Sequence, residues 1–191
     1  GACAGSPFTI TVTVNPTPAI ANVAQTICSG TQATLSPING GGVSSTDIVP
    51  TGTTYTWSAP SVTGLSGMTA GTAATSFTSG TIVNTTNAAI NVTYVVTPTS
   101  GSCAGTPFNV LITVDPKPSI ATVPLAVCSG SATTHTPTNL GGTNSTDIVP
   151  SGTTYTWLAP TVTGVIGMSS DTTNTATSFA SGTLLNSTNA S

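Results

Sequence analysis

The sequence predicts an all-β protein: an antiparallel β-sandwich repeated in tandem. Three observations carry that expectation. Apolar and hydroxyl residues alternate with a period of two, as in Phe8-Thr9-Ile10-Thr11-Val12-Thr13-Val14. Glycine and proline punctuate short segments rich in Val, Ile, Thr, Tyr, Phe and Trp. The chain also repeats itself one hundred residues on: Cys3, Pro7 and Phe8 return as Cys103, Pro107 and Phe108, and Cys28-Ser29-Gly30 returns as Cys128-Ser129-Gly130. A unit of that size is a whole small domain.

The strand expectations follow in chain order. Residues 8–14 and 108–114 place Phe, Ile and Val on one face. Residues 19–27, 32–36, 53–57, 75–84 and 90–97 complete about seven strands per unit, with Pro60 stopping the run that ends at Trp57. No stretch carries apolar residues at helical spacing, so helix is expected to be nearly absent. Seven short strands and intervening turns indicate Ig-like topology.

The phase of the repeat divides the chain. Residues 1–18 read as the last strand of a preceding module plus a linker, 19–118 as a complete module, and 119–191 as a truncated second one. After Met168 the second copy gains two residues, so Phe77 matches Phe179. The expectation is a window on a longer array. The alternative is a module completed by a strand from a neighbouring chain. Between modules stand Asn15-Pro16-Thr17-Pro18 and Asp115-Pro116-Lys117-Pro118. Two prolines in four residues hold such a linker near polyproline II, short and semi-rigid, so the modules should form a rod.

Composition excludes several partners. The only charged residues are Lys117 and the four aspartates Asp47, Asp115, Asp147 and Asp171. Nucleic acid and anionic lipid both demand clustered Lys and Arg, so neither is an expected partner. No apolar run approaches the roughly 20 residues of a membrane span, and no direct membrane insertion is expected.

Four cysteines in a charge-poor β chain point to disulfides and an oxidising compartment. Two connectivities stay open. If Cys28 follows the first strand and Cys103 precedes the last, and both turns lie at one end of the sandwich, Cys28 pairs with Cys103. Cys3 and Cys128 then pair outside the chain. If instead Asn15-Pro16-Thr17-Pro18 is a hairpin turn, Cys3 pairs with Cys28 and Cys103 with Cys128. The first is the expectation.

Other candidates are weaker. Trp57 and Trp157, with Tyr55 and Tyr155, sit mid-strand and are expected in the core; exposed, they would make a sugar-stacking platform. Asp47 and Asp147 offer one carboxylate per loop, thin for calcium and suited to turn capping. His135 replaces Leu35 and is expected on a strand surface. No Cys/His cluster, nucleophile elbow, phosphate loop or paired carboxylate appears, so neither a metal, a cofactor nor catalysis is expected. Sequons occur at Asn84, Asn91, Asn144, Asn186 and Asn189, and Asp171-Thr172-Thr173 makes Thr172 a candidate O-glycosylation acceptor.

These residues together resemble the PKD-like and Ig-like repeats of giant Bacteroidota surface proteins, among them gliding-motility adhesins of the SprB kind. The resemblance rests on Ile27-Cys28-Ser29-Gly30, the run from Val49-Pro50 through Tyr55-Thr56-Trp57 to Pro60, the run from Val92-Thr93-Tyr94 to Cys103, and Val114-Asp115-Pro116-Lys117-Pro118. It implies a β-sandwich module, export to the cell surface, and a role in adhesion, gliding or filament building, without catalytic residues. The implied partners are neighbouring identical modules or chains, and surface glycans.

Overall fold

The computed structural model describes residues 2–41, 43–141 and 146–189. The sequon at Asn144 lies outside them. The first module contributes β1 (Val23–Cys28), β2 (Thr34–Leu35), β3 (Thr54–Trp57), β4 (Leu65–Ser66), β5 (Gly71–Ala74), β6 (Phe77–Thr78), β7 (Val83–Asn84), β8 (Ile90–Ser100), β9 (Cys103–Ala104) and β10 (Phe108–Asp115). The second contributes β11 (Thr134–His135), β12 (Tyr155–Trp157), β13 (Val165–Ile166), β14 (Asp171–Ala176), β15 (Phe179–Ala180) and β16 (Leu185–Asn186). No helix occurs among the described residues, as the sequence predicts.

The main sheet runs β1-β10-β8-β3-β5, with β9 attached to β8. All its pairings are antiparallel except one: β1 lies parallel to β10, Val23 opposite Val110 and Cys28 opposite Asp115. Over the other side of the core lie the short ladders β2–β6 and β4–β7. The fold is a β-sandwich.

Alternation builds its interior. In β8, Val92, Tyr94 and Val96 are buried while Asn91, Thr93 and Val95 face out; in β10, Phe108, Val110, Ile112 and Val114 are buried while Asn109 and Leu111 face out. These side chains meet Phe77 and Ile82 from the opposite layer, with Tyr55 and Trp57 from β3. Phe77 stands at the centre, its ring 5.0 Å from both Trp57 and Tyr94. Gly71 in β5 is opposite Trp57, and a Cβ there would overlap the indole ring. Pro98 is accommodated in the long central strand because β10 has ended at that level; its carbonyl accepts the Gly105 N–H instead.

Two stretches with the strand pattern carry no strand among the described residues. Residues 8–14 carry the same alternation as β10 but form no strand, and Phe8, Ile10, Val12 and Val14 are 72–86% exposed. Residues 123–128 repeat the position of β1 and likewise form no ladder. A strand exists only through hydrogen bonds to a neighbour, and neither stretch has one among the described residues. The second module is correspondingly open: Trp157 and Phe179 keep their ring contact at 5.2 Å but are only half-buried.

Trp57→Ala should destabilise the first module by about 3–5 kcal/mol, the usual cost of deleting a buried large aromatic ring. Urea unfolding followed by circular dichroism measures it; an unchanged midpoint would show that the indole does not hold the core. Burial raises the Tyr94 hydroxyl to about 12, while it donates to the Ser79 carbonyl at 2.7 Å. Because the folded-state value lies above the unfolded one, this contribution is intact below about pH 10 and is lost as pH rises toward 12. Alkaline absorbance titration should therefore show Tyr94 ionising late, together with unfolding.

Candidate functional site

Among the described residues no group of three or more His, Cys, Asp or Glu side chains is placed to hold a metal ion. The most organised polar region is the hinge where one module passes into the next. Its first wall is the end of β10. Ser29 N–H donates to the Asp115 carbonyl at 2.8 Å, and the Asn84 side-chain amide donates to the carbonyls of Val114 and Ala88, both at 2.8 Å. Asn84 N–H donates in turn to Ser29 Oγ at 2.9 Å, and Asn84 Oδ1 accepts from Thr86 N–H and Oγ1. Asn84 is buried with both amide hydrogens engaged, so its sequon presents no free acceptor nitrogen.

The second wall is the start of the following module. Ser119 and Ile148 exchange backbone hydrogen bonds at 3.0 and 2.8 Å, and Ala121 N–H donates to Asp147 Oδ1 at 2.9 Å. The first module begins in the same way: Ala19 pairs with Ile48, and Asp47 receives Ala21 N–H on one carboxylate oxygen at 3.0 Å and Ser44 N–H on the other at 3.1 Å. Both carboxylates are almost wholly buried, at 3% and 2% exposure. Asp47 caps its own turn through Ser44 N–H, and both aspartates clamp backbone across 26 residues, tying the post-linker segment to the loop that carries the aspartate. Burial, and then the nearby Asp47 carboxylate, raise the Tyr55 hydroxyl; Tyr155 is raised by burial and Asp147 in the same way.

Between the walls lies a cleft bordered by Cys28, Asn84, Pro116, Lys117, Pro118 and Ile148. At the opposite end of the first module Pro18 is fully buried, and Gly105 packs so closely on the Pro18 carbonyl that a Cβ would overlap it. The β8–β9 hairpin therefore sits against the linker that leads into its own module.

That arrangement corrects the cysteine expectation. All four cysteines are free, and Cys28 does not pair with Cys103. Because β1 is parallel to β10, Cys28 lies level with Asp115, at the far end of the strand that Cys103 precedes. Cys103 is opposite Ser100 and Val114 is opposite Ile90, so the two thiols are separated by the length of β8. Its 11 residues span roughly 33 Å, against a Cα separation of about 7 Å at most for a disulfide. The pairs of the hairpin alternative, Cys3 with Cys28 and Cys103 with Cys128, are likewise unbonded in this structure.

The remaining candidates are quickly placed. Trp57 and Tyr55 are in the core at 4% and 1% exposure, so they offer no stacking platform. His135 is half-buried in β11 rather than on the surface, opposite Phe179, with Nε2 enclosed and unpartnered. Thr172 is exposed on β14 and stands beside Trp157 and Leu158. Asp171 accepts from Thr173 Oγ1 and N–H, hydrogen bonds that hold its carboxyl below the ordinary value.

With this geometry in hand, the sequence can be compared with known families. Residues 25–118 match the PKD-like domain, a span that runs from within β1 to the end of β10 and the linker after it. No curated protein matches the chain. The first module is thus PKD-like in sequence and a β-sandwich in structure.

Asp47→Ala should cost roughly 1–3 kcal/mol by leaving two backbone donors unpaired. Hydrogen exchange should show the Ala21 amide losing protection before the amides of β10. Equal protection of Ala21 in the variant and the parent would remove the clamp.

Proposed function

We propose that this chain is a structural spacer of a long extracellular, surface-attached or secreted protein, its modules set end to end to carry an adhesive or gliding function outward, without catalysis. The observation that carries the reading is the hinge. The Pro-Lys-Pro linker is flanked by hydrogen-bonded residues on each side: Asp115 accepts from Ser29 before it, and Ser119 and Ala121 bond Ile148 and Asp147 after it. A linker anchored at both ends and stiffened by proline transmits direction, which a spacer needs and a flexible tether lacks. The PKD-like match supports the reading, since such domains are commonly structural or adhesive and often extracellular. Surface threonines, serines and asparagines in place of charges suit a stalk whose contacts are insensitive to salt. Its expected partners are modules of its own kind and surface glycans, and Thr172 is exposed where an O-linked sugar would attach.

A second reading is strand donation between copies. It is favoured by Phe8, Ile10, Val12 and Val14, exposed in the pattern that β10 buries, and by the apolar cleft of the second module lined by Trp157, Val165, Met168, Phe179 and Leu184.

Small-angle scattering separates a rod from a compact particle. A compact chain of this length would have a radius of gyration of roughly 16 Å. The spacer reading expects a clearly larger value, a rod-shaped pair-distance distribution and no dependence on salt or concentration. A compact value would overturn it, and concentration-dependent growth would favour strand donation.

A further inference from the structure

The four cysteines are not accounted for by the module's own fold, yet their positions obey a rule. Cys28 ends β1, level with Asp115, and borders the hinge cleft together with Pro116, Pro118 and Ile148. It therefore stands at the end of its module that faces the following one. Cys103 occupies β9, two residues before Gly105, and Gly105 packs on Pro18 at the end where the module begins. The linker at 115–118 is thus approached by Cys28 from the module before it, and the linker at 15–18 by Cys103 from the module after it. Pro118 and Pro18 are equivalent positions of two successive linkers: Cys28 lines a cleft with Pro118, and Cys103 stands two residues from the glycine that packs on Pro18.

We propose that these two thiols form a disulfide across the hinge, joining Cys28 of one module to the β9 cysteine of the next. Neither side is buried within its own module: Cys28 is exposed and Cys103 half-exposed, and both are free. Neither can reach the other within one module, because the whole of β8 lies between them. A bond across the hinge is the pairing that gives each module one cystine to its predecessor and one to its successor. In the reaction, the two cysteines give up two protons and two electrons to a small-molecule disulfide such as oxidised glutathione, which leaves as two thiols. The product bridges the Pro-Lys-Pro linker in parallel and converts a semi-rigid joint into a doubly connected one. This inference rests on the tandem-rod reading; a rod with reduced hinges would leave that reading standing while removing this one.

The sequence alignment supplies the test. Ser191 matches Ala89, so a copy of residues 90–118 joined after Ser191 continues the repeat in phase and adds one β9-type cysteine to the second module. The unextended chain, equilibrated in a glutathione redox buffer, should keep four free thiols by Ellman titration of its monomer. The extended chain should keep three of five, and peptide mapping should find Cys28 bonded to the added cysteine. Cys28→Ser in the extended chain should leave all four remaining thiols free. Two copies of residues 19–118 joined directly present the same pair of thiols, and should lose two of four through the first copy's Cys28 and the second copy's Cys103. A bond between the added cysteine and Cys128, or the absence of any bond in both extended forms, would overturn the inference.

Discussion

The structure depends on the position of one strand. β10 lies between β1 and β8, hydrogen-bonded to both, and turns four apolar side chains inward. Removing such a strand exposes the apolar face and leaves two neighbouring edges unpaired, which is costly in both hydrophobic and hydrogen-bond terms. The chain contains its own comparison. Residues 119–189 hold counterparts of β2 to β7. There Tyr155, Trp157 and Phe179 are half-buried, whereas Tyr55, Trp57 and Phe77 are in the core, and the stretch matching β1 forms no ladder. Local ladders such as β12–β14 and β13–β16 form within residues 119–189.

The same strand organises the hinge. Its last residue, Asp115, accepts from Ser29 and leads directly into Pro116, so the sheet's hydrogen bonding continues up to the linker. Asn84 reaches from the opposite layer to the Val114 carbonyl and joins both layers at this end. Beyond the prolines, a buried aspartate takes up the next segment. Aspartate suits this position because a carboxylate accepts several backbone N–H donors at once, where a hydroxyl would accept fewer. A chain with so few charges thus buries two of them at module starts.

Much of this was legible in the residues. The period of two placed Val92, Tyr94, Val96, Phe108, Val110, Ile112 and Val114 on the core face, and the paired prolines marked the hinges. Trp57 followed from its mid-strand position. The clamp by Asp47 was only partly visible: a lone aspartate in a Gly/Ser/Thr loop reads as a turn cap, but its reach to Ala21, across 26 residues, has no local signal. Nor has the role of Asn84, whose sequon invites a surface reading that its burial reverses.

Alternation is a local property, set by the pleat, so the sequence alone determined which side chains of the strands face inward and where proline and glycine interrupt them. It could not determine which strands become neighbours or in which direction they run. Residues 8–14 and 108–114 share one pattern, and among the described residues only the second has neighbouring strands. The parallel pairing of β1 with β10 likewise places Cys28 at the hinge rather than beside Cys103. That was decided only in the tertiary structure, since strand direction depends on hydrogen bonds between residues more than eighty positions apart.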